Sequence, residues 1–236
     1  QLEEELGVKL FQRSNHCVYL TSEGMMFRRR AQELVNLAER AREELAQNEE
    51  TLSGVIAIGC GEMRSVQEVA KLMAGFQERY PLVKFELYSG DNEGIRERME
   101  QGTLDMGLLL EPVSIVKYDF IRMRTKEQWG VLIHKDAPLA SREVIRPGDL
   151  VGPPVVTVQL DTPVHHELAG WSGDFAKQME PCVNYNLLYN AVIAARERKG
   201  AAICVKLDCH YDEMKFLPLE PKLELSSVLA WKDRQT

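Results

Sequence analysis

The spacing of apolar residues between Phe27 and Leu45 constrains this chain more than any other feature. Phe27, Ala31, Leu34, Ala38, Ala41 and Leu45 follow one another at intervals of four, three, four, three and four. That is the repeat of a coiled-coil seam. Thr21 and Ser22 are good N-cap residues, and Glu23 complements the positive end of a helix dipole, so the helix is expected to start there and run to about Glu50. About 30 residues at 1.5 Å each make a rod roughly 45 Å long. One narrow stripe on such a rod cannot be buried by a single lobe. The expected partner is the same helix of a second subunit, with packing against its own domain as the alternative.

The segments on either side of this helix differ in texture. Before it, Leu2-Glu-Glu-Glu-Leu6 reads as the end of a helix stopped by Gly7, followed by Val8-Lys-Leu-Phe11, the polar turn Gln12 to His16, and the strand-like Cys17-Val-Tyr-Leu20. Helix, tight polar turn and strand make the shape of a wing. From Gly7 to Arg30 the basic residues Lys9, Arg13, Arg28, Arg29 and Arg30 face one acid, Glu23, which suits phosphate contacts, although a charge run is more often a solvated face. After Leu52, strands and helices alternate: Val55 to Gly59, Ser65 to Arg79, Val83 to Tyr88, Glu93 to Gln101 and Met106 to Leu110 predict a mainly parallel sheet with helices on both faces. The turn Lys135 to Ala140 looks like a change of lobe. A second series then runs through Pro154 to Val158, Val164 to Trp171, Leu187 to Lys199 and Ala202 to Val205. The runs at Phe216 and at Ser227 to Trp231 are expected to return to the first lobe. Two lobes joined by crossing strands leave a cleft.

Composition narrows the function classes. The 236 residues are 44% hydrophobic and 28% charged, ordinary globular usage, and no apolar run approaches the roughly 20 residues that span a bilayer. The amphipathic start lacks the pattern of a secretory signal, so a cytoplasmic location and no membrane partner are expected. Five scattered cysteines without a C-x-x-C pair read as free thiols. His165 and His166 are adjacent rather than four apart, which argues against a metal site. No Ser-His-Asp order, phosphate loop or paired-carboxylate motif stands out, so neither catalysis nor a cofactor is expected.

The stretch Leu2-Glu-Glu-Glu-Leu-Gly-Val-Lys-Leu-Phe-Gln-Arg-Ser14, then Val18-Tyr-Leu-Thr-Ser-Glu-Gly24, closely resembles the rear half of the DNA-binding domain of LysR-type transcriptional regulators. Phe76-Gln-Glu-Arg-Tyr-Pro81, Gly102-Thr-Leu-Asp105 and Arg146-Pro-Gly-Asp-Leu150 extend the likeness over essentially the whole chain. The resemblance implies an α/β fold: a two-lobed, type II periplasmic-binding-protein-like effector domain, preceded by a linker helix and part of a winged helix-turn-helix. The corresponding division is 1–21 for the partial winged domain, 22–51 for the linker helix and 52–236 for the effector domain. Lobe I takes about 52–125 and 212–236, lobe II about 126–211. Arg13, Ser14, Asn15 and His16 are then candidates for DNA-backbone contact. Family members begin with further helices and add a last one, so a chain truncated at both ends is expected, with base reading assigned to residues before Gln1. The implied partners are promoter DNA, a small-molecule effector and further copies of the chain, as dimer or tetramer. A stand-alone solute-binding protein of the same fold is the rival.

Ligands of open α/β lobes bind beyond the carboxyl ends of strands. That rule selects Cys60, Gly61, Glu62, Met63, Arg64 and Ser65 after the first strand, and Asp91 and Asn92 after the second. In the other lobe it selects Gln159 together with Asn184, Tyr185 and Asn186. Gly59 and Gly61 should let backbone approach a ligand. Arg64 suits a carboxylate or phosphate, while Glu62 and Asp91 suit a cation or a hydroxyl. A simple anion and an amine-bearing or polyhydroxylated effector both remain open.

Overall fold

The computed structural model describes residues 1–13, 17–46 and 52–232. Helix α1 (Leu2–Leu6) ends on Gly7 in the left-handed conformation, φ 68°. Strands β1 (Phe11–Arg13) and β2 (Val18–Leu20) pair antiparallel, with Phe11 opposite Leu20. Ser14, Asn15 and His16 lie outside the described residues, as do the side chains of Arg13, Ala41 and Leu45.

Helix α2 (Ser22–Ala46) begins at a joint that explains why threonine and glycine stand where they do. The Thr21 hydroxyl accepts from the Gly24 amide at 2.9 Å and donates to the Lys9 carbonyl at 2.6 Å, while the Thr21 amide donates to the Leu10 carbonyl at 3.0 Å. A Cβ on Gly24 would sit 2.0 Å from the Leu10 carbonyl oxygen. Only glycine lets the first turn of the helix lie on the buried Leu10. Along the seam Phe27 and Ala31 are half-buried, whereas Leu34 is 67% exposed.

Two sheets follow. The first holds β3 (Ser53–Cys60), β4 (Leu82–Ser89), β5 (Met106–Leu110), β6 (Asp119–Arg122) and, from the far end of the chain, β13 (Ser227–Trp231). Its order is β4-β3-β5-β13-β6, parallel among the first three and antiparallel where β13 meets β5 and β6. Helices α3 (Val66–Arg79) and α4 (Asn92–Glu100) cross between its parallel strands. The Asp105 carboxylate accepts from the Ala57 amide at 2.8 Å, so the aspartate of the Gly102 to Asp105 motif stitches β5 to β3.

The second sheet runs β11-β7-β10-β8-β9, with β12 (Glu224–Leu225) also on β7. Its members are β7 (Glu127–His134), β8 (Val155–Val158), β9 (Pro181–Tyr185), β10 (Ala201–Val205) and β11 (Met214–Pro218). Helices α5 (Pro163–Ser172) and α6 (Leu188–Glu197) connect its parallel strands.

Two expectations are corrected. The chain changes lobe at Met123 to Lys126, close to the division at about 125 and not at the turn Lys135 to Ala140, because β7 already lies in the second sheet; Pro138–Ser141 is a one-turn 3-10 helix after it. The returning segment likewise starts near Ser226 rather than 212, since β11 pairs antiparallel with β7 from Met214 opposite His134 to Pro218 opposite Gly130. A strand-like run carries its own periodicity but not the name of its partner.

One buried cluster joins both sheets: Ile58, Leu108 and Leu229 of the first are continuous with Trp129, Val131, Ile203 and Val205 of the second. Each such side chain contributes roughly 1.5–3 kcal/mol by leaving water. Smaller cores lie under α6, around Ala191, Val192 and Ala195, and under α4, around Ile95 and Met99.

Candidate functional site

A cavity of about 380 Å³ opens between the two sheets. The first lobe lines it with Gly61, Glu62 and Met63, with Gly90 to Glu93 and Arg96, and with Leu110 and Pro112 to Ser114. The second contributes Trp129, Val158, Gln159, Asp161 to Val164, Tyr185, Asn186, Leu188 and Val205. Most of these positions follow the carboxyl ends of parallel strands, where α/β folds place ligands.

The loop after β3 is tied to its surroundings at nearly every residue. Glu127, the first residue of β7 and fully buried, accepts from the amides of Arg64 at 3.0 Å and Ser65 at 2.9 Å. A buried carboxylate is costly unless such donors surround it, and here it neutralises the positive end of α3. The Ser227 hydroxyl donates to the buried Ser65 hydroxyl at 2.8 Å. Glu62 reaches across the cleft and accepts from the Leu188 amide at the start of α6. Arg64 pairs with Asp208 of the second lobe, Nε to Oδ2 3.1 Å.

Other wall residues have structural duties too. Asp91 caps α4, accepting from the Gly94 amide at 2.8 Å. The Asn92 side chain donates to the Leu110 carbonyl at 2.7 Å and accepts from the Leu110 amide at 3.0 Å, pinning α4 to β5. In α5, Thr162 caps the helix by accepting from the His165 amide at 3.1 Å. The Tyr185 hydroxyl donates to the Ile203 carbonyl at 2.8 Å; burial, with Cys204 and Glu62 adding to it, holds that phenol well above its ordinary pKa. Trp129 is 2% exposed, and its indole N–H has no acceptor among the described residues.

The candidates chosen from sequence therefore divide. Gly61, Glu62, Met63, Asp91, Asn92, Gln159, Tyr185 and Asn186 stand on the cavity wall. Cys60, Arg64, Ser65 and Asn184 do not. Cys60 is buried in the sheet, with its thiol pushed up to about 11 by that burial. Arg64 is turned to Asp208 and Ser65 is enclosed with Ser227. Asn184 precedes the inward Tyr185 on β9 and, by the strand's twofold alternation, faces the other way. Gly59 also serves the fold rather than a ligand: a Cβ there would lie 2.7 Å from Ile95 and 2.8 Å from Leu104. Leu110, Pro112 to Ser114, Glu93, Arg96 and Trp129 lie on the wall beyond that choice. The strand-end rule, applied to β5 as well, selects the residues after Leu110, and Glu93 and Arg96 follow Asn92 in the first turns of α4; nothing local marks Trp129, which enters the wall through the lobe crossing.

Of the free thiols, Cys204 is fully buried and is pushed up to about 12 by desolvation, which removes thiolate character. No helix among the described residues is long and apolar enough to cross a membrane.

Comparison with known proteins places this architecture. Residues 49–236 match the family described as the LysR substrate binding domain. The HTH-type transcriptional regulator YybE of Bacillus subtilis is 30% identical over 154 residues, covering 64% of this chain and 52% of YybE. The crystal structure of CbnR, a LysR family transcriptional regulator, superposes with TM-score 0.76 at 13% identity, covering 99% of this chain and 81% of CbnR. The effector-binding domain of QuiR in complex with shikimate does so with TM-score 0.65 at 18% identity, over 78% of this chain and 90% of that domain. The chain spans about half the length of the curated relatives it matches. With a family match over most of its residues and the two-lobed fold to go with it, this chain belongs to the LysR family.

Proposed function

We propose that the chain is the dimerising and effector-sensing part of a cytoplasmic DNA-binding transcription regulator, and not an enzyme. The observation that carries this reading is the cleft of about 380 Å³ between two lobes, on a chain whose front end is a wing followed by a long helix. Residues 1–21, 22–51 and 52–236 divide into partial winged domain, linker helix and effector domain, with lobe I taking the return from about 226. Gly61, Glu62, Met63, Asp91, Gln159, Tyr185 and Asn186 present the effector site. Arg13 and the wing turn contact the DNA backbone. The α2 seam forms the dimer: Leu34 is 67% exposed on the single chain, which leaves it available to a second copy. Effector binding acts through its different affinity for two assembly states. The solute-binding alternative finds no support among the relatives, which are transcriptional regulators.

A thermal-shift screen against metabolites, with Ser114→Trp as a cleft-filling control, tests the sensing site. Hits should be lost in that variant and recovered chemically unchanged after long incubation. Turnover would replace this reading with an enzyme. Leu34→Glu should dissociate the dimer by light scattering, and an unchanged dimer would defeat the seam.

A further inference from the structure

The cleft wall carries information about charge that the fold alone does not. Three helices begin at it, and each first turn already has an acceptor from the protein. Asp91 serves α4, Thr162 serves α5 and Glu62 serves α6. Two of these acceptors are carboxylates, and the start of α3, behind the wall, is closed by a third, Glu127. An anion arriving at any of the three helix ends on the wall meets a position that the protein's own side chains fill, at α4 and α6 with negative charge.

The ionisable groups of the wall point the same way. The residues Glu62, Asp91 and Glu93 line the cavity from the first lobe and Asp161 from the second, against a single guanidinium, Arg96, whose Nε is buried with no hydrogen-bond partner among the described residues. Such a wall has an excess of negative charge in a partly desolvated space, where an organic cation is attracted and a carboxylate repelled. The second, independent observation is Trp129. Its indole N–H, buried in a side chain 2% exposed that lines the cavity, has no acceptor among the described residues. Indole nitrogen only donates, so it asks for an oxygen. Around it Leu110, Val113, Val164 and Val205 supply an apolar surface.

We propose that the effector is an amine of net positive charge that also carries a neutral oxygen. The ammonium is held by the carboxylates of the two lobes, the hydroxyl or carbonyl oxygen accepts from Trp129, and a short apolar body lies between. This rests on the cleft being the effector site, and it selects the cationic class from the two that the sequence leaves open.

The test uses four probes of matched length with the purified chain, followed by calorimetric titration: 5-amino-1-pentanol, pentylamine, 5-hydroxypentanoate and 6-aminohexanoate. The aminoalcohol should bind about tenfold more tightly than the hydroxyacid, with the simple amine and the zwitterion between them. The double variant Glu93→Gln, Asp161→Asn, both exposed positions, should weaken both amines by about tenfold without lowering the melting temperature. Trp129→Phe should erase the advantage of the aminoalcohol over pentylamine. If the hydroxyacid binds as well as or better than the amines and Ser114→Trp abolishes that binding, the cleft stands and the cationic effector falls. Binding that survives Ser114→Trp overturns the cleft as well. Failure of both amines to bind at about 10 mM overturns the charge assignment.

Discussion

The loops that follow β3 in the first lobe and β8 in the second occupy comparable places, yet they are built on different plans. The first, Gly61 to Ser65, is held from outside: Glu62 engages α6, Arg64 engages Asp208, and Glu127 and Ser227 hold the amides and hydroxyl at its end. The second, Gln159 to Thr162, is held from within. Thr162 donates to the Gln159 carbonyl at 3.0 Å and caps its own helix, leaving Asp161, at φ 60°, exposed on the cavity wall. One loop is therefore a clasp between lobes and the other a platform that presents its groups to whatever enters. A ligand that meets both touches the lobe-to-lobe contacts only through the first.

This contrast can be broken in graded steps. The largest effect is expected from Glu127→Ala, which leaves the amides of Arg64 and Ser65 buried without an acceptor and should lower unfolding free energy by about 3 kcal/mol in urea titration. A loss below about 1 kcal/mol would mean that the clasp does not depend on its buried acid. Next come the two caps. Glu62→Ala and Thr162→Ala should each cost about 1 kcal/mol, but only the former should enlarge the radius of gyration in small-angle scattering, because only Glu62 reaches the other lobe. Equal scattering from both variants would abolish the distinction between clasp and platform. Arg64→Ala should cost about 0.5 kcal/mol and no more, given that its pair with Asp208 is largely exposed, and the loss should shrink in high salt.

A last test concerns pH. Glu68 accepts from the amides of Arg124 and Thr125 at the lobe crossing, and its hydrogen bonds to Thr125 hold its carboxyl below the ordinary value of 4.5. A depressed carboxyl contributes stability in full above that unfolded value and loses it as pH falls through the folded one. Glu68→Gln should therefore flatten the decline in stability below pH 4.5, and an unchanged acid limb would remove Glu68 from that role.

Local pattern carried much of this molecule. The alternation of strands and helices, the Thr21 cap, the Gly7 stop and the position of Glu62, Asp91 and Gln159 each just beyond a strand are features written within a few neighbouring residues. What escaped was written at long range. Glu127 reads as a lone acid opening an apolar strand; its partners lie 62 and 63 positions away. Trp129 reads as core, which it also is, and joins the wall only because the chain crosses between lobes at Met123 to Lys126. The partner of β11 depends on a ladder that no periodicity encodes, so the run at Phe216 reads as part of the wrong lobe. Arg64 looked available to a ligand because Asp208, the residue it meets, stands 144 positions later.

The two crossings, at Met123 to Lys126 and at Ser226, run side by side and are laced together. The Met123 amide donates to the Ser227 carbonyl at 2.9 Å, the Glu111 amide to the Ser226 carbonyl at 2.8 Å, and the Lys126 ammonium to the Ser226 hydroxyl. A body hung from one thread swings and spins in any direction; hung from two laced ribbons, it keeps one easy rotation, like a door. Two laced ribbons should make opening about the line of that waist easier for these lobes than twisting across it, so that a ligand between them would act on the rest of the chain as a single angle.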